Sequence, residues 1–413
     1  MSLIVCYIIL IFEVFTGFWC LYRSFKYICN QNQKTKNIME LNEKKPNILI
    51  VIPCLREQDI IIQTLNYFLE LTNDLDNVKL LVVTTQKEEF EKENNLHLKD
   101  QFIKDVKSNM ELQKLINKYN KILSTNEIKE ILKCSKLENI EEIINNKIQK
   151  FQTTNTLIED FIIQNHLKER IYHFHYPDTK GIMADQLNYV LNNFEFKDEK
   201  NYYFSVYNAD SIPNKNTIVV GHGMYIRVDL LKKIGGFETK YWCEDIYMSY
   251  VLRNKGISIY PIKTLEIMQS PQYLSILTKQ NAVWFKTSFE CLKIFKDVFN
   301  QNRKLNLNSI GWLIQRIRMN ITWLGLPLAF LYTIIISILN KNIILFVLSI
   351  LSYFVMIMLE YGSTIKLIEK LTETSLKNKI KILCNTILAT SISNIGPIYS
   401  LVSRKKEKYK TVR

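Results

Sequence analysis

The sequence predicts an α/β protein: a doubly wound, mostly parallel sheet carrying an inserted helical segment and flanked by transmembrane helices. Three patterns predict it. Short β-branched runs end in Pro or in small-residue turns, segments of helical period alternate with them, and the long apolar stretches lie toward the two ends of the chain. Alternating strand and helix patterns are what parallel sheets are built from, and stretches of bilayer length mark membrane spans.

Leu3–Tyr22 is almost wholly apolar, with Glu13 its one charge. Arg23 and Lys26 follow at once, then Lys34 and Lys36. A short apolar core with a small-residue cleavage site is lacking, so residues 1–23 are expected to be a retained anchor rather than a cleaved signal peptide. The basic flank predicts a cytoplasmic location for the domain after the anchor. Asn47–Pro53 reads as a buried strand, Ile60–Leu71 as a helix and Lys79–Thr84 as a second buried strand. Such a β-α-β start predicts a right-handed crossover in a parallel sheet. Residues 87–152 contain no Gly or Pro and place apolar residues at helical spacing among Glu, Lys and Asn. They read as two to four amphipathic helices inserted in the domain, a solvated lid being the plainer role. Arg170–His175 is the next strand, Gly181–Asn193 a helix, and Tyr202–Tyr207 a strand that stops abruptly.

Ile321–Leu339 and Ile343–Leu359 are separated by Asn340-Lys341-Asn342 and predict a helical hairpin. Ile382–Val402 is weaker, interrupted by Asn, Thr and Ser and by Gly396-Pro397. A full fourth crossing would export the tail Arg404–Lys410, against the positive-inside rule, so 382–402 is expected to be re-entrant or interfacial. The run Phe285–Phe299 with Lys286, Lys293 and Lys296, followed by Trp312, Arg316, Arg318 and Trp323, suits helices lying in the headgroup layer. The expected organisation is therefore an anchor at 1–23, a cytoplasmic domain at 39–300, interfacial helices at 284–318, a membrane region at 319–403 and a basic tail at 404–413.

The 413 residues carry 54 Lys+Arg against 40 Asp+Glu, a formal charge of +14. Such a balance suits nucleic acid, an anionic membrane surface or a phosphorylated substrate. Here the lysines cluster beside the spans and in the insertion without interleaved aromatics, which speaks against nucleic acid. Eight scattered cysteines form no C-x-x-C pair, which argues against a zinc site and a disulfide framework and suits reduced thiols in a cytoplasmic setting.

Three blocks hold the candidate chemistry. Asn208-Ala209-Asp210-Ser211 puts one carboxylate just past a strand, where α/β sheets bind ligands. Asp210 there is either a ligand for a divalent metal against a diphosphate or the cap of a turn. Gly221-His222-Gly223 lets backbone approach a ligand closely or simply makes a tight loop before Arg227. Glu244-Asp245 opens a helical run, and a helix N-terminus favours the ionised carboxylate that a general base requires; an N-cap with an acidic first turn has the same pattern. His173, His175 and His222 lack metal-ligand spacing; the first two read as strand residues and His222 as a weak candidate for acceptor contact.

Together these blocks resemble, in order, the motifs of the membrane-anchored family 2 glycosyltransferases. Val51 to Glu57 is similar to the family's opening strand and Pro-x-x-x-Glu loop. Gly181 to Asn188 resembles its glycine helix, Asn208 to Ser211 its D-x-D-S turn, and Gly221-x-Gly223 with Arg227 its acceptor-side loop. Glu244-Asp245 resembles its E-D pair and Gln280 to Trp284 its Q-x-x-R-W motif. The resemblance implies a GT-A fold and an inverting transfer of a sugar from a nucleotide-diphosphate donor to an acceptor hydroxyl, with Mn²⁺ or Mg²⁺ as cofactor. It implies that Asp210, with Asn208, holds the metal and that Asp245 is the base with Glu244 in support. Pro53, Arg56, Glu57, Thr84, Lys180, Gly181 and Asn188 would bind the nucleotide sugar. Gly221, Gly223, Arg227, Gln280 and Trp284 would meet acceptor or donor sugar. The acceptor would be a lipid-linked or envelope glycan at the cytoplasmic face of a multi-pass cell-membrane protein.

Four positions depart from the family pattern. Asn208 replaces an Asp, Thr84-Thr85 stands where an Asp holds uracil, Met183 replaces a Lys that Lys180 could supply, and Val283 replaces the Arg of Q-x-x-R-W. The last departure weighs against the alternative of a processive polysaccharide synthase. Asn208, Thr84 and Val283 motivate a second alternative, an inactive membrane scaffold that keeps the fold.

Overall fold

The structure is a computed structural model. It describes residues 2–39, 46–107, 152–213, 224–241, 244–257, 266–268, 274–302, 306–371 and 393–402, with isolated positions between them. The chain divides into two compact units. One comprises Pro46–Thr239 with Ile262–Met268, the other Met1–Lys45, Lys240–Pro261 and Gln269–Arg413.

The first unit is built on a five-stranded sheet. Strands β1 (Asn47–Pro53), β2 (Val78–Thr85), β3 (Ile171–Tyr176), β4 (Tyr202–Val206) and β6 (Met224–Arg227) lie in the order β3-β2-β1-β4-β6. The first four are parallel and β6 runs antiparallel to β4. Short strands β5 (Ser211–Pro213) and β7 (Glu266–Met268) form a separate antiparallel pair. Leu49, Ile50, Val51 and Ile52 of β1 are all fully buried, so both faces of the sheet are covered. This is why β1 reads as a continuous apolar run rather than an alternating one.

On one face α2 (Ile61–Leu71) buries Ile61, Leu65 and Phe68, spaced as one helical stripe, together with Ile158 and Ile162 of α4 (Thr154–Gln164). Each such side chain stabilises the unit by about 1.5–3 kcal/mol. Helix α5 (Met183–Asn193) packs on β1, β2 and β3 through Leu187, Val190 and Leu191. Gly181 leads into it so closely past Tyr176 that a Cβ would lie 2.2 Å from the ring. Helix α3 (Gln86–Lys107) starts directly where β2 ends. It confirms the helical character of the start of the insertion; most of 108–151 lies outside the described residues, and with it the number of inserted helices. Helix α6 (Val228–Lys233) follows β6.

The second unit is helical. It contains α1 (Ser2–Met39), α7 (Glu244–Asn254), α8 (Leu274–Asn302), α9 (Leu307–Leu339), α10 (Ile343–Leu371) and α11 (Ile395–Val402). Ser2–Tyr22 and Ser309–Leu339 are long and apolar enough to cross a membrane, and Ile343–Leu359 is a shorter apolar helix. The predicted hairpin is present. Lys341 turns with φ +48°, and Asn342 Oδ1 accepts from the Leu345 N–H at 3.0 Å to cap α10. Helix α1 packs along α10, where a Cβ on Gly17 would lie 3.0 Å from Met356 Cα. Close backbone approach at a small residue is how helices pack in lipid. The buried Glu13 accepts a hydrogen bond from Ser352 Oγ at 2.6 Å. Of the 382–402 segment the described part is chiefly α11, in which Pro397 occupies the first turn, a position open to proline. The basic tail at 404–413 lies outside the described residues.

Candidate active site

The chain runs outward through β1, β2 and β3, then returns to place β4 on the other side of β1. The carboxyl ends of β1 and β4 therefore flank a topological switch point, where open α/β sheets bind ligands. Two predicted segments meet there, the loop from Cys54 to Gln58 and the turn Asn208-Ala209-Asp210. The strand ends that lead into them are joined by backbone, the Tyr207 N–H donating to Val51 O at 3.0 Å.

Tyr207 is fully buried edge-on against Phe68, with ring centroids 5.1 Å apart, and anchors the turn. Its hydroxyl lies 3.3 Å from that of Tyr225, whose ionisation burial, and secondarily Tyr207, pushes far up. Thr64 Oγ1 of α2 donates to Ala209 O. Asp210 is buried, which separates it from an ordinary exposed turn cap. One carboxylate and the amide oxygen of Asn208 make a hard-oxygen donor set that fits Mg²⁺ or Mn²⁺, cations that keep waters and take phosphate oxygens as their other ligands. Among the described residues no cluster of three His, Cys, Asp or Glu side chains could hold a metal by itself.

Pro53 closes β1 opposite Val83, and the Cys54 N–H continues the pairing to Val83 O at 2.8 Å. Arg56 takes φ +60°, a left-handed conformation unusual for a residue with a Cβ. Its guanidinium pairs with Glu91 of α3, while the Glu57 N–H donates to Thr154 Oγ1 at 3.0 Å. Gln186 of α5 reaches Cys54 O at 3.0 Å from behind the loop.

Thr84 is buried, and its hydroxyl sits 2.9 Å from His173 Nε2, 2.9 Å from His175 Nδ1 and 3.0 Å from Asn155 Oδ1. His175 Nε2 in turn lies 3.0 Å from Gln86. Burial, with the charge of His175 second, lowers His173 to about 4. Thr84 is thus the hub of a polar cluster joining β2, β3, α3 and α4. Sequence reading set the two histidines aside; their spacing of two on one strand, which aims both at the same face, was the available signal.

Other predicted residues are placed apart from this edge or committed elsewhere. Asn188 holds both backbone groups of Phe237, accepting from its N–H at 2.8 Å and donating to its carbonyl at 2.7 Å. Lys180 is exposed, its N–H bonded to Asp178 at 2.8 Å. Arg227 faces Tyr203, about 10 Å back along β4 from its carboxyl end at 3.3 Å per residue. It forms a two-pronged pair with Asp229 at 2.7 and 2.8 Å, which raises the Arg227 pKa and lowers that of Asp229. Gly221 and Gly223 lie outside the described residues.

The remaining candidates belong to the helical unit. Glu244 and Asp245 open α7, and Asp245, exposed, accepts from the Ile246 N–H at 2.8 Å. The positive end of a helix suits a carboxylate placed there. The segment leading into α7 is fixed by an arrangement the sequence did not reveal. Asp297 of α8 accepts from Lys240 at 2.6 Å and from the Tyr241 hydroxyl, contacts that hold its carboxyl below the usual range. Tyr241 stacks on Tyr247 at 5.6 Å. Gln280 and Trp284 stand one turn apart on α8, with Trp284 48% exposed. Between them Asn281 is buried against Gly396 of α11, where a Cβ would lie 2.5 Å from that of Asn281.

None of the curated protein sequences matches the chain. Among solved structures it is similar to the mannosyltransferase PcManGT from Pyrobaculum calidifontis in complex with GDP-Man and Mn²⁺, at 9% identity and a TM-score of 0.48 over 98% of this chain and 100% of that one. Residues 159–361, from within α4 to within α10, match the family described as Glycosyl transferase family group 2. Over that span, just short of half its length, the chain is similar to the family 2 glycosyltransferases, and it is a glycosyltransferase.

Proposed function

We propose that this glycosyltransferase moves a sugar, with inversion, from a nucleotide-diphosphate donor to a hydroxyl of a lipid-linked or envelope glycan at the cytoplasmic face of the membrane. The observation that carries the reading is Asp210, buried in the turn that closes β4 beside the β1 loop at the switch point of the sheet. In this reading the acceptor oxygen attacks the anomeric carbon, the bond from that carbon to the diphosphate oxygen breaks, and the nucleoside diphosphate leaves with the electron pair. The acceptor proton passes to Asp245, with Glu244 in support. Asp210 and Asn208 would hold Mn²⁺ or Mg²⁺, which supplies charge neutralisation on the leaving diphosphate. The loop at Pro53, Arg56 and Glu57 receives the nucleotide.

The membrane setting rests on two helices of spanning length and on the basic flank after Tyr22. It is also supported by α8, which exposes Phe289, Leu292 and Phe299 beside Lys293 and Lys296, the composition of a helix lying in the headgroup layer. The test is a panel of nucleotide sugars with Mn²⁺, offered to the purified full-length protein with lipid-linked acceptors. Asp245→Asn should abolish transfer while nucleotide binding persists, and Asp210→Asn should weaken metal-dependent nucleotide binding. Transfer that survives Asp245→Asn at the wild-type rate removes Asp245 as the base.

A further inference from the structure

Glu88, in the first turn of α3, is a carboxylate only 6% exposed. Its hydrogen-bond partners are neutral donors. Oε2 accepts from the Arg56 N–H at 2.8 Å; Oε1 accepts from the Gln58 side-chain amide at 2.5 Å, from the Thr154 N–H at 2.9 Å and from the Thr154 hydroxyl at 3.1 Å. The same hydroxyl oxygen accepts from the Glu57 N–H at 3.0 Å. One turn of α3 and the first turn of α4 therefore grip the backbone of the loop at Arg56 and Glu57 from outside. A second tie runs beside it, from the Thr153 hydroxyl to Glu89 Oε1 at 2.6 Å. A buried carboxylate bonded to neutral donors persists only where those donors are fixed, and here one of its donors is the backbone N–H of Arg56, a residue held in the left-handed region.

We propose that Glu88 is a positioning residue for the donor. It holds the Cys54–Gln58 loop in the shape that receives the nucleoside diphosphate and so ties the inserted segment, which begins in α3 and leads up to α4, to donor binding. Arg56 is part of the same device. With its backbone fixed by Glu88, its guanidinium is held at the edge of the loop by Glu91, an exposed pair that a diphosphate can displace. The inference rests on the donor reading above.

The experiment uses the full-length protein in detergent, with UDP and GDP as binding probes and the release of nucleoside diphosphate from UDP- and GDP-sugars as the turnover assay. Glu88→Gln keeps the volume but turns one acceptor oxygen into a donor facing N–H groups. It is expected to raise the nucleoside diphosphate Kd and the donor KM about tenfold, the scale of a hydrogen bond to a charged group, with kcat nearly unchanged. Thr154→Val removes the hydroxyl shared by Glu88 and Glu57 and should shift KM in the same direction, so the question stays open to test if Glu88→Gln fails to fold. A lowered unfolding midpoint with wild-type KM in the folded protein overturns the proposal, because Glu88 would then serve the fold alone. Wild-type protein that binds neither UDP, GDP nor their sugars overturns the donor reading itself and this inference with it.

Discussion

Two adjacent glycines separate backbone strain from packing in a way a mutant pair can measure. Gly235 (φ +94°) and Gly236 (φ +78°) both occupy left-handed conformations. A Cβ on Gly235 meets nothing within 4 Å, whereas one on Gly236 would lie 2.5 Å from Asn188 Oδ1, the atom that accepts from the Phe237 N–H. Gly235→Ala should therefore cost about 1 kcal/mol, the left-handed penalty alone. Gly236→Ala adds the displacement of Asn188 and its two bonds to Phe237, about 2 kcal/mol more, for a total of about 3 kcal/mol. At about 3 °C per kcal/mol for a unit of this size, the unfolding midpoints should fall by about 3 °C and about 9 °C. In an Asn188→Ala background the bonds are already gone, so Gly236→Ala should then cost no more than Gly235→Ala. The assay is thermal unfolding of the full-length protein in detergent at fixed pH. Equal shifts for the two glycines, or a Gly236 penalty that persists without Asn188, would refute the reasoning.

Three further outcomes are expected from the same structure. Because His173 is lowered from 6.5 to about 4, the unfolded chain binds its proton first as pH falls, so stability is complete above about 6.5 and declines between there and about 4. His173→Gln should flatten that decline by up to about 3 kcal/mol in unfolding measured across the window; an unchanged profile would show that the imidazole does not titrate there. Gly17→Val, which drives a side chain into Met356 and Leu359, should lower the unfolding midpoint in detergent, while Phe18→Val beside it, 55% exposed, should not. Trp284→Ala should cut sugar transfer by up to about tenfold, the worth of a stacked ring, without moving the midpoint; a midpoint loss of core size would make Trp284 a packing residue instead.

What the sequence made legible were the features written locally. β1 through β4 are continuous or aromatic apolar runs, the Asn340–Asn342 break fixes the hairpin, and Asp210 follows β4 directly. The illegible features depend on distant partners. Glu88 sits in the run Lys87 to Lys92, which has the pattern of a solvated helical face; only the crossover that brings α3 and α4 beside the β1 loop turns it inward. Asn188 fits a ligand-binding motif and also a brace for Phe237, and the pattern alone has no means of distinguishing them. Arg227 follows the glycine loop in sequence, yet the antiparallel direction of β6 carries it away from the carboxyl edge of the sheet. Asp297 lies more than two hundred residues after the first strand and meets Tyr241 only through the packing of α8.

The order of strands also sets the timetable on which this protein can be made. Asn47 pairs with Tyr202, so the central strand waits for about 150 further residues before its second neighbour exists. At ribosomal speeds that interval is on the order of ten seconds, during which Leu49 to Ile52 have one open edge. The insertion lengthens the wait but adds little to the closure entropy, since doubling a loop costs only about 0.6 kcal/mol. Shortening the segment between α3 and α4 should speed maturation in the cell even where it leaves the assembled enzyme unchanged.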